Sequence, residues 1–263
     1  MSVQAVQPER GGSGRPRSGP GRGVALVAGL VVGLLTGTGG PIDGAVPPEH
    51  TENLTAASRQ VDPSVVDTIT FADPAGTQIL GTGIIVASTG LVLTDYHVIR
   101  DGVFIGVRVG GRGAVHPASV VISNPSDDLA LLQIEGGGWV KPAVLGRAST
   151  ARVGDAVLAI GNALGLDGAL RAVSGRLVAL RRAVSYGVGS SVVSLAGILE
   201  AATPVFAGDS GGALVDGQGR VIGVIAAGSD AAPCPRGAVC PLHLAYAIPI
   251  GQAMDQIGYG QGF

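Results

Sequence analysis

The chain has 263 residues, of which 46% are hydrophobic and only 14% charged, and 45 of them are glycine. That length can bury one large core or two modest ones. A net charge of −2 supplies no strong attraction to nucleic acid or anionic lipid. No nucleic-acid-binding module and no cluster of metal ligands stands in the sequence, so neither metal nor cofactor is expected. Abundant glycine with only 3% aromatics suits many short strands joined by tight turns, because glycine tolerates the positive φ that turns need.

Residues 1–23 are rich in Gly, Pro, Ser and Arg, including Arg10, Arg15, Arg17 and Arg22, and are expected to form a disordered basic N-terminus. Segment 24–40 opens with an uninterrupted run of Val, Ala, Leu and Gly over 24–35. A basic start and an apolar run of this length fit a secretory signal better than a membrane span, which takes ~20 apolar residues. No small-residue cleavage site is obvious, because Ala45 would put Asp43 at the unfavourable third position back, so an uncleaved N-terminal membrane anchor is the alternative. Both readings place the protein outside the cytoplasm. Residues 41–57 read as a linker that carries Asn53-Leu54-Thr55, a glycosylation pattern that decides nothing alone.

From residue 58 the texture changes. Short β-type runs occur at 65–70, 83–86, 91–94, 103–109, 129–134, 156–160, 192–195, 212–215, 221–225 and 245–248, separated by turn residues. Asp216-Gly217-Gln218-Gly219 between two apolar runs is a hairpin signal. Helical periodicity is absent except after Pro249, and no repeat of roughly 20–50 residues is present. The prediction is an all-β domain over 58–258, sandwich or barrel. Cys234 and Cys240, flanked by Pro233, Pro235 and Pro241, are too far apart for a redox CxxC pair and have no second pair to complete a zinc site. In an oxidising compartment they would close a small disulfide loop; two unpaired buried thiols are the alternative.

Cleaving an amide with a serine requires a base touching the hydroxyl, a carboxylate holding that base in one tautomer, and fixed donors for the oxyanion. Ser210 stands in Gly208-Asp209-Ser210-Gly211-Gly212, where the glycines allow a sharp turn that aims the N–H groups of Gly208 and Ser210 at one spot. An ordinary glycine turn would look the same. His97 closes the apolar run 90–99, unlike His50, His116 and His243, which sit in less ordered settings. Asp128 adjoins the run Leu129-Ala130-Leu131-Leu132 and, as a carboxylate anchored against a core, needs a partner; Asp127 is its competitor.

The order His, Asp, Ser is that of the chymotrypsin-like fold. The surrounding words resemble the HtrA/DegP-like, trypsin-like serine peptidases of bacteria. Gly81-Thr82-Gly83-Ile84-Ile85-Val86 with Leu93-Thr94-Asp95-Tyr96-His97-Val98-Ile99 resembles their histidine block, and Asp128-Leu129-Ala130-Leu131-Leu132 their aspartate block. Ile160-Gly161-Asn162-Ala163-Leu164-Gly165-Leu166, Gly208 to Val215, and Ala245-Tyr246-Ala247-Ile248-Pro249 resemble three further blocks in family order. The resemblance covers roughly 58–251. It implies two six-stranded antiparallel barrels, about 58–145 and 146–258, with the active site in the cleft between them. It also implies an endopeptidase that works on proteins or peptides through an acyl-enzyme, with His97, Asp128 and Ser210 as triad and Gly208 and Ser210 as oxyanion donors.

The sequence departs from that family in two places. A PDZ domain usually follows the catalytic part, and this sequence ends shortly after Ile250. Asp209 stands where the HtrA group commonly has Asn. Digestive relatives pair such an Asp with a newly cut N-terminus, but no Ile-Val-Gly-Gly start is present, which leaves Arg171 or Arg176 as candidate partner. In this fold the primary pocket is lined by 203–207 and 225–229, so Pro204, Val205, Phe206, Ala226, Ala227 and Gly228 are candidate lining residues. Pro204, six before Ser210, is not an acid, which argues against Arg or Lys and for small or medium apolar side chains at the cleaved position. Two other readings are a non-catalytic protein-binding module that keeps the fold, and a Ser-triad esterase, whose chain order and texture would differ. Oligomeric state has no sequence signal.

Overall fold

A computed structural model of the chain describes residues 48–74, 76–162, 170–189, 191–229 and 243–260. The first barrel consists of β1 (Val65–Phe71), β2 (Gln78–Ala87), β3 (Leu91–Asp95), β4 (Phe104–Val109), β5 (His116–Asn124) and β6 (Leu129–Ile134), closed in the order β1-β2-β3-β6-β5-β4. The second consists of β7 (Ala156–Gly161), β8 (Arg171–Val188), β9 (Ser191–Ala202), β10 (Gly212–Asp216), β11 (Val221–Gly228) and β12 (Leu244–Pro249), closed as β10-β11-β12-β9-β8-β7. Neighbouring strands are antiparallel. This is the chymotrypsin-like double barrel that the sequence led us to expect.

The strands facing the barrel boundary are buried on both sides, which explains why they read as continuous apolar runs and do not alternate. Along β2, β3 and β6, Ile85, Val92, Ala130 and Leu132 point into barrel 1, while Ile84, Leu93, Leu129 and Leu131 join the core shared with barrel 2. In β7 and β10, Val157, Ala159 and Leu214 fill barrel 2, and Leu158, Ile160, Ala213 and Val215 face the shared core. One apolar layer therefore fixes the two barrels against each other, and the strand ends meeting there can hold groups in fixed relation.

Three α-helices, α1 (Pro48–Val61), α2 (Tyr96–Ile99) and α3 (Ile250–Gln256), and two 3-10 turns, Asp62–Ser64 and Ala148–Thr150, complete the described fold. Residues 48–57, expected to be linker, are helical; Leu54, Ala57 and Val61, spaced for one helix face, are buried in the shared core. The rest of that linker lies outside the described residues, as do segments 1–23 and 24–40 and both Cys234 and Cys240. Among the described residues no helix is long and apolar enough to cross a membrane.

Strands β5 and most of β8 also differ from expectation. β5 carries Val120, Val121 and Ile122 at 44, 49 and 39% exposure, so burial does not account for its apolar composition. β8 carries Arg171, Arg176, Arg181 and Arg182, which broke up any apolar run. Its pairing with β9 shifts register three times between Leu177 and Val184, and Arg181 has a φ of 56°. Bulges of this kind bend a hairpin and increase its twist. Beyond them Val184, Tyr186 and Val188 lie buried in the core that also contains Leu129 and Leu131 of barrel 1.

Candidate active site

His97 and Asp128 are brought together by strand register. β3 pairs with β6 so that Asp95 faces Leu129, which places the first turn of α2 beside the residue that precedes β6. The Asp128 backbone is held in the left-handed region (φ 54°), with its carbonyl accepting the Tyr96 N–H at 3.0 Å. Its carboxylate, 1% exposed, accepts the His97 backbone N–H on Oδ1 at 2.9 Å and lies 2.7 Å from His97 Nδ1 on Oδ2. The Tyr186 hydroxyl donates to the same Oδ2 at 2.7 Å. A buried carboxylate costs several kcal/mol unless donors satisfy it, and Asp128 has three. Asp127 is engaged elsewhere, with Asn124 Nδ2 and Gln256 Nε2 each donating to it at 2.7 Å.

Asp95 is the other acid in this corner. It is fully buried, and neither of its carboxyl oxygens has a hydrogen-bond partner among the described residues. Burial, and then the negative charge of Asp128, hold it well above the usual carboxylate range, opposed only by the nearby Gly211 N–H, so the neutral acid is favoured. Its Oδ2 lies 4.0 Å from His97 Nδ1. Asp95, His97 and Asp128 bring three ligand-type atoms within 4.8 Å of one another. His97 Nδ1 and both Asp128 oxygens are already hydrogen-bonded, however, so the arrangement orders an imidazole better than it would cage a cation.

The serine sits in the turn between β9 and β10. Thr82, in the middle of β2, fixes that turn to barrel 1. Its N–H donates to the Ser210 carbonyl at 2.8 Å, its hydroxyl donates to the Gly208 carbonyl at 2.6 Å, and the same hydroxyl accepts the Asn162 N–H at 2.9 Å. Gly211 has a φ of 82°, and a Cβ there would strike the Thr82 carbonyl and Thr94 Oγ1, only a residue or so from Asp95 and α2. Glycine is therefore required at this position for space as well as conformation. Within the turn the N–H of Asp209 donates to Phe206, that of Gly211 to Ile225 and that of Gly212 to Asp209. The N–H groups of Gly208 and Ser210 donate to nothing among the described residues. The Ser210 hydroxyl, partly exposed, also has no protein partner there.

Asp209 is 6% exposed. Its Oδ2 accepts the Phe206 N–H at 2.8 Å, which closes the turn onto itself. Burial pushes its carboxyl up to about 6, opposed by that hydrogen bond and by the more distant charge of Arg171. Of the two arginines considered as its partner, Arg176 donates to the Gly154 carbonyl instead. Arg171 makes no ion pair with it but lies over the Phe206 ring, 5.2 Å from its centroid. Ala226 and Ala227 are buried on β11, and Val205 packs so closely on Gly228 that a Cβ at Gly228 would collide with it. Phe206 is 38% exposed beneath Arg171, a surface position.

Four residues of this site had no role assigned from sequence: Thr82, Asp95, Asn162 and Tyr186. Thr82 and Asp95 stand inside the histidine-block words, and Asn162 inside the block at 160–166. Tyr186 has no local signal at all.

Two antiparallel barrels with a His–Asp pair at the end of one and a glycine-flanked serine in a turn of the other define the chymotrypsin-like class. Residues 81–224 match the family model described as trypsin-like peptidase domain, and the chain belongs to that family. It is similar to the serine protease PepD of Mycobacterium tuberculosis, with 31% identity over 88% of this chain and 53% of that protein. It is also similar to the periplasmic serine endoprotease DegP of Salmonella typhimurium, with 32% identity over 69% of this chain and 36% of that protein. A solved HtrA-type protease, AlgW with a tripeptide, superposes with a TM-score of 0.62 and 27% identity, covering 77% of this chain and 61% of that one. The chain thus spans about half or less of the length of these two curated relatives.

Proposed function

We propose that the chain is a serine endopeptidase that cleaves protein or peptide substrates through an acyl-enzyme. In this reading Ser210 Oγ attacks the scissile carbonyl while His97 Nε2 takes its proton. Asp128 holds the imidazole with Nδ1–H toward its carboxylate and stabilises the imidazolium. The tetrahedral oxyanion sits between the N–H groups of Gly208 and Ser210. His97 then returns the proton to the leaving amine, and a water activated by the same imidazole releases the acyl group from Ser210. Serine–histidine hydrogen bonds are often loose without substrate and tighten in the Michaelis complex, so a free Ser210 hydroxyl is compatible with this role.

One observation carries the proposal: beside the bonded N–H groups of Asp209, Gly211 and Gly212, those of Gly208 and Ser210 at the serine's reacting face have no acceptor among the described residues. Unpaired amides in a partly buried turn are costly, and a non-catalytic binding module has no use for them. An extracytoplasmic location is supported by the periplasmic designation of the DegP relative. The contact of Val205 on Gly228 narrows the space between the pocket walls and favours small apolar side chains at the cleaved position. A fluorophosphonate probe should label the folded chain, with labelling abolished by Ser210→Ala and strongly reduced by His97→Ala. Folded protein that takes no label would overturn the enzymatic reading and leave the binding module.

A further inference from the structure

The tip of the β8–β9 hairpin belongs to barrel 2 by sequence but touches barrel 1. Arg100, directly after α2, donates from Nη1 to the Val188 carbonyl at 3.1 Å, and a side chain at Gly189 would collide with the same guanidinium. Two residues before Val188, Tyr186 is 3% exposed and donates its hydroxyl to Asp128 Oδ2, the oxygen that also faces His97 Nδ1. Among the described residues, the ionisable groups facing Asp128 are His97 from α2, Tyr186 from β8 and the buried Asp95 carboxyl from β3. Among the described residues no arginine or lysine pairs with it.

Building on the triad reading above, we propose that Tyr186 is a positioning residue for the triad acid, delivered across the barrel boundary by the hairpin tip that Arg100 latches. A phenol donor on Oδ2 does two things. It fixes the carboxylate plane together with the His97 N–H on Oδ1. It also draws charge from the oxygen that accepts Nδ1–H, which weakens that acceptor and keeps the imidazolium from being over-stabilised after it takes the serine proton. Burial and the Asp128 charge raise the Tyr186 phenol far above its ordinary range, so it remains a donor throughout the working pH range.

The test uses the full chain and two readouts: the pH profile of kcat/KM, and the low-field proton resonance of His97 Nδ1–H. Tyr186→Phe should lower kcat/KM roughly fivefold, through kcat with KM little changed, and move the acid limb of the profile upward by about half a pH unit. The Nδ1–H resonance should move further downfield, because the carboxylate has become the stronger acceptor. Site-specific 3-fluorotyrosine at 186, nearly isosteric but a stronger donor, should move both readouts the opposite way, and it supplies the test if the Phe variant folds poorly. Arg100→Ala should act in the direction of Tyr186→Phe, less strongly. Activity losses with the acid limb and the resonance unmoved would reduce Tyr186 to packing and overturn the proposal, as would a Phe variant indistinguishable from the parent. The resonance reads the His97–Asp128 contact whether or not Ser210 is a nucleophile, so failure of the peptidase reading is seen separately, in the fluorophosphonate labelling.

Discussion

Of the three buried aspartates at the candidate site, Asp95, Asp128 and Asp209, the last two are treated in opposite ways. Asp128, 1% exposed, receives three hydrogen bonds from His97 and Tyr186. Asp209, 6% exposed, receives from the turn it closes the Phe206 N–H hydrogen bond, and the charge of Arg171 acts on it only through space. The first corner is built to satisfy a carboxylate and hold it in one orientation. The second retains an acid whose burial is only partly compensated, so its charge works against the fold. Burial alone does not tell them apart; the number and type of donors does.

The largest expected effect comes from disturbing the well-satisfied acid. Asp128→Asn would keep the shape but place an amide against His97 Nδ1, favouring the wrong tautomer. By analogy with triad enzymes generally, kcat should fall by ~10⁴ while the fold persists. Steady-state kinetics beside a thermal melt would check both halves. An Asn variant within tenfold of the parent would mean that Asp128 does not orient the base.

Disturbing the poorly satisfied acid should do the reverse and stabilise the protein. Burial raises the Asp209 carboxyl from its ordinary 3.8 to about 6, so the folded chain binds this proton more tightly than the unfolded chain does. Its contribution to stability is therefore complete below the unfolded value and is lost as pH rises through about 6. A shift of about two units corresponds to at most about 3 kcal/mol. Asp209→Asn keeps an acceptor for the Phe206 N–H and removes the charge. Its melting temperature should exceed the parent's at about pH 8 and match it at about pH 4. Asp67, also pushed to about 6 by burial, has the same sign but is common to both proteins and drops out of the difference. A variant less stable than the parent at about pH 8 would show that the Asp209 charge has a strong partner after all.

This contrast also marks how far the sequence reaches. His97, Asp128 and Ser210 were legible because each adjoins an apolar strand or a glycine turn, and strand ends are where register delivers side chains to a cleft. The β6 bounds, 129–134, could be read directly from its unbroken apolar run. The same ground favours Asp128 over Asp127 in the sequence; in the structure Asp128 meets His97, whereas Asp127 accepts from Asn124 and Gln256. Helix α1 was missed although Leu54, Ala57 and Val61 carry helical spacing, because three apolar positions among polar neighbours make a weak stripe next to a Pro- and Gly-rich stretch. Tyr186 could not be found locally: its hydrogen bond spans 58 residues and depends on bulges in a strand that its arginines disguise. Thr82 reaches Gly208 over 126 residues, so the anchoring of the serine turn is likewise a property of the closed barrels.

The smallest effect asks whether Arg171 belongs to the second corner at all. Its guanidinium lies over the Phe206 ring, and it also lowers the Asp209 carboxyl through space, so Arg171→Ala removes two contributions at once. An exposed cation–π contact is worth about 0.5–1 kcal/mol and should be lost equally at acid and alkaline pH. The charge contribution exists only while Asp209 is ionised, and salt screens it because the arginine is exposed. Combining Arg171→Ala with Asp209→Asn therefore separates the two. In the Asn background the arginine should cost only the stacking contact, whereas in the parent at about pH 8 it should cost a few tenths of a kcal/mol more, with the excess fading at high salt. An identical cost in both backgrounds would place Arg171 with Phe206 alone and leave Asp209 with nothing but the Phe206 N–H to offset its burial.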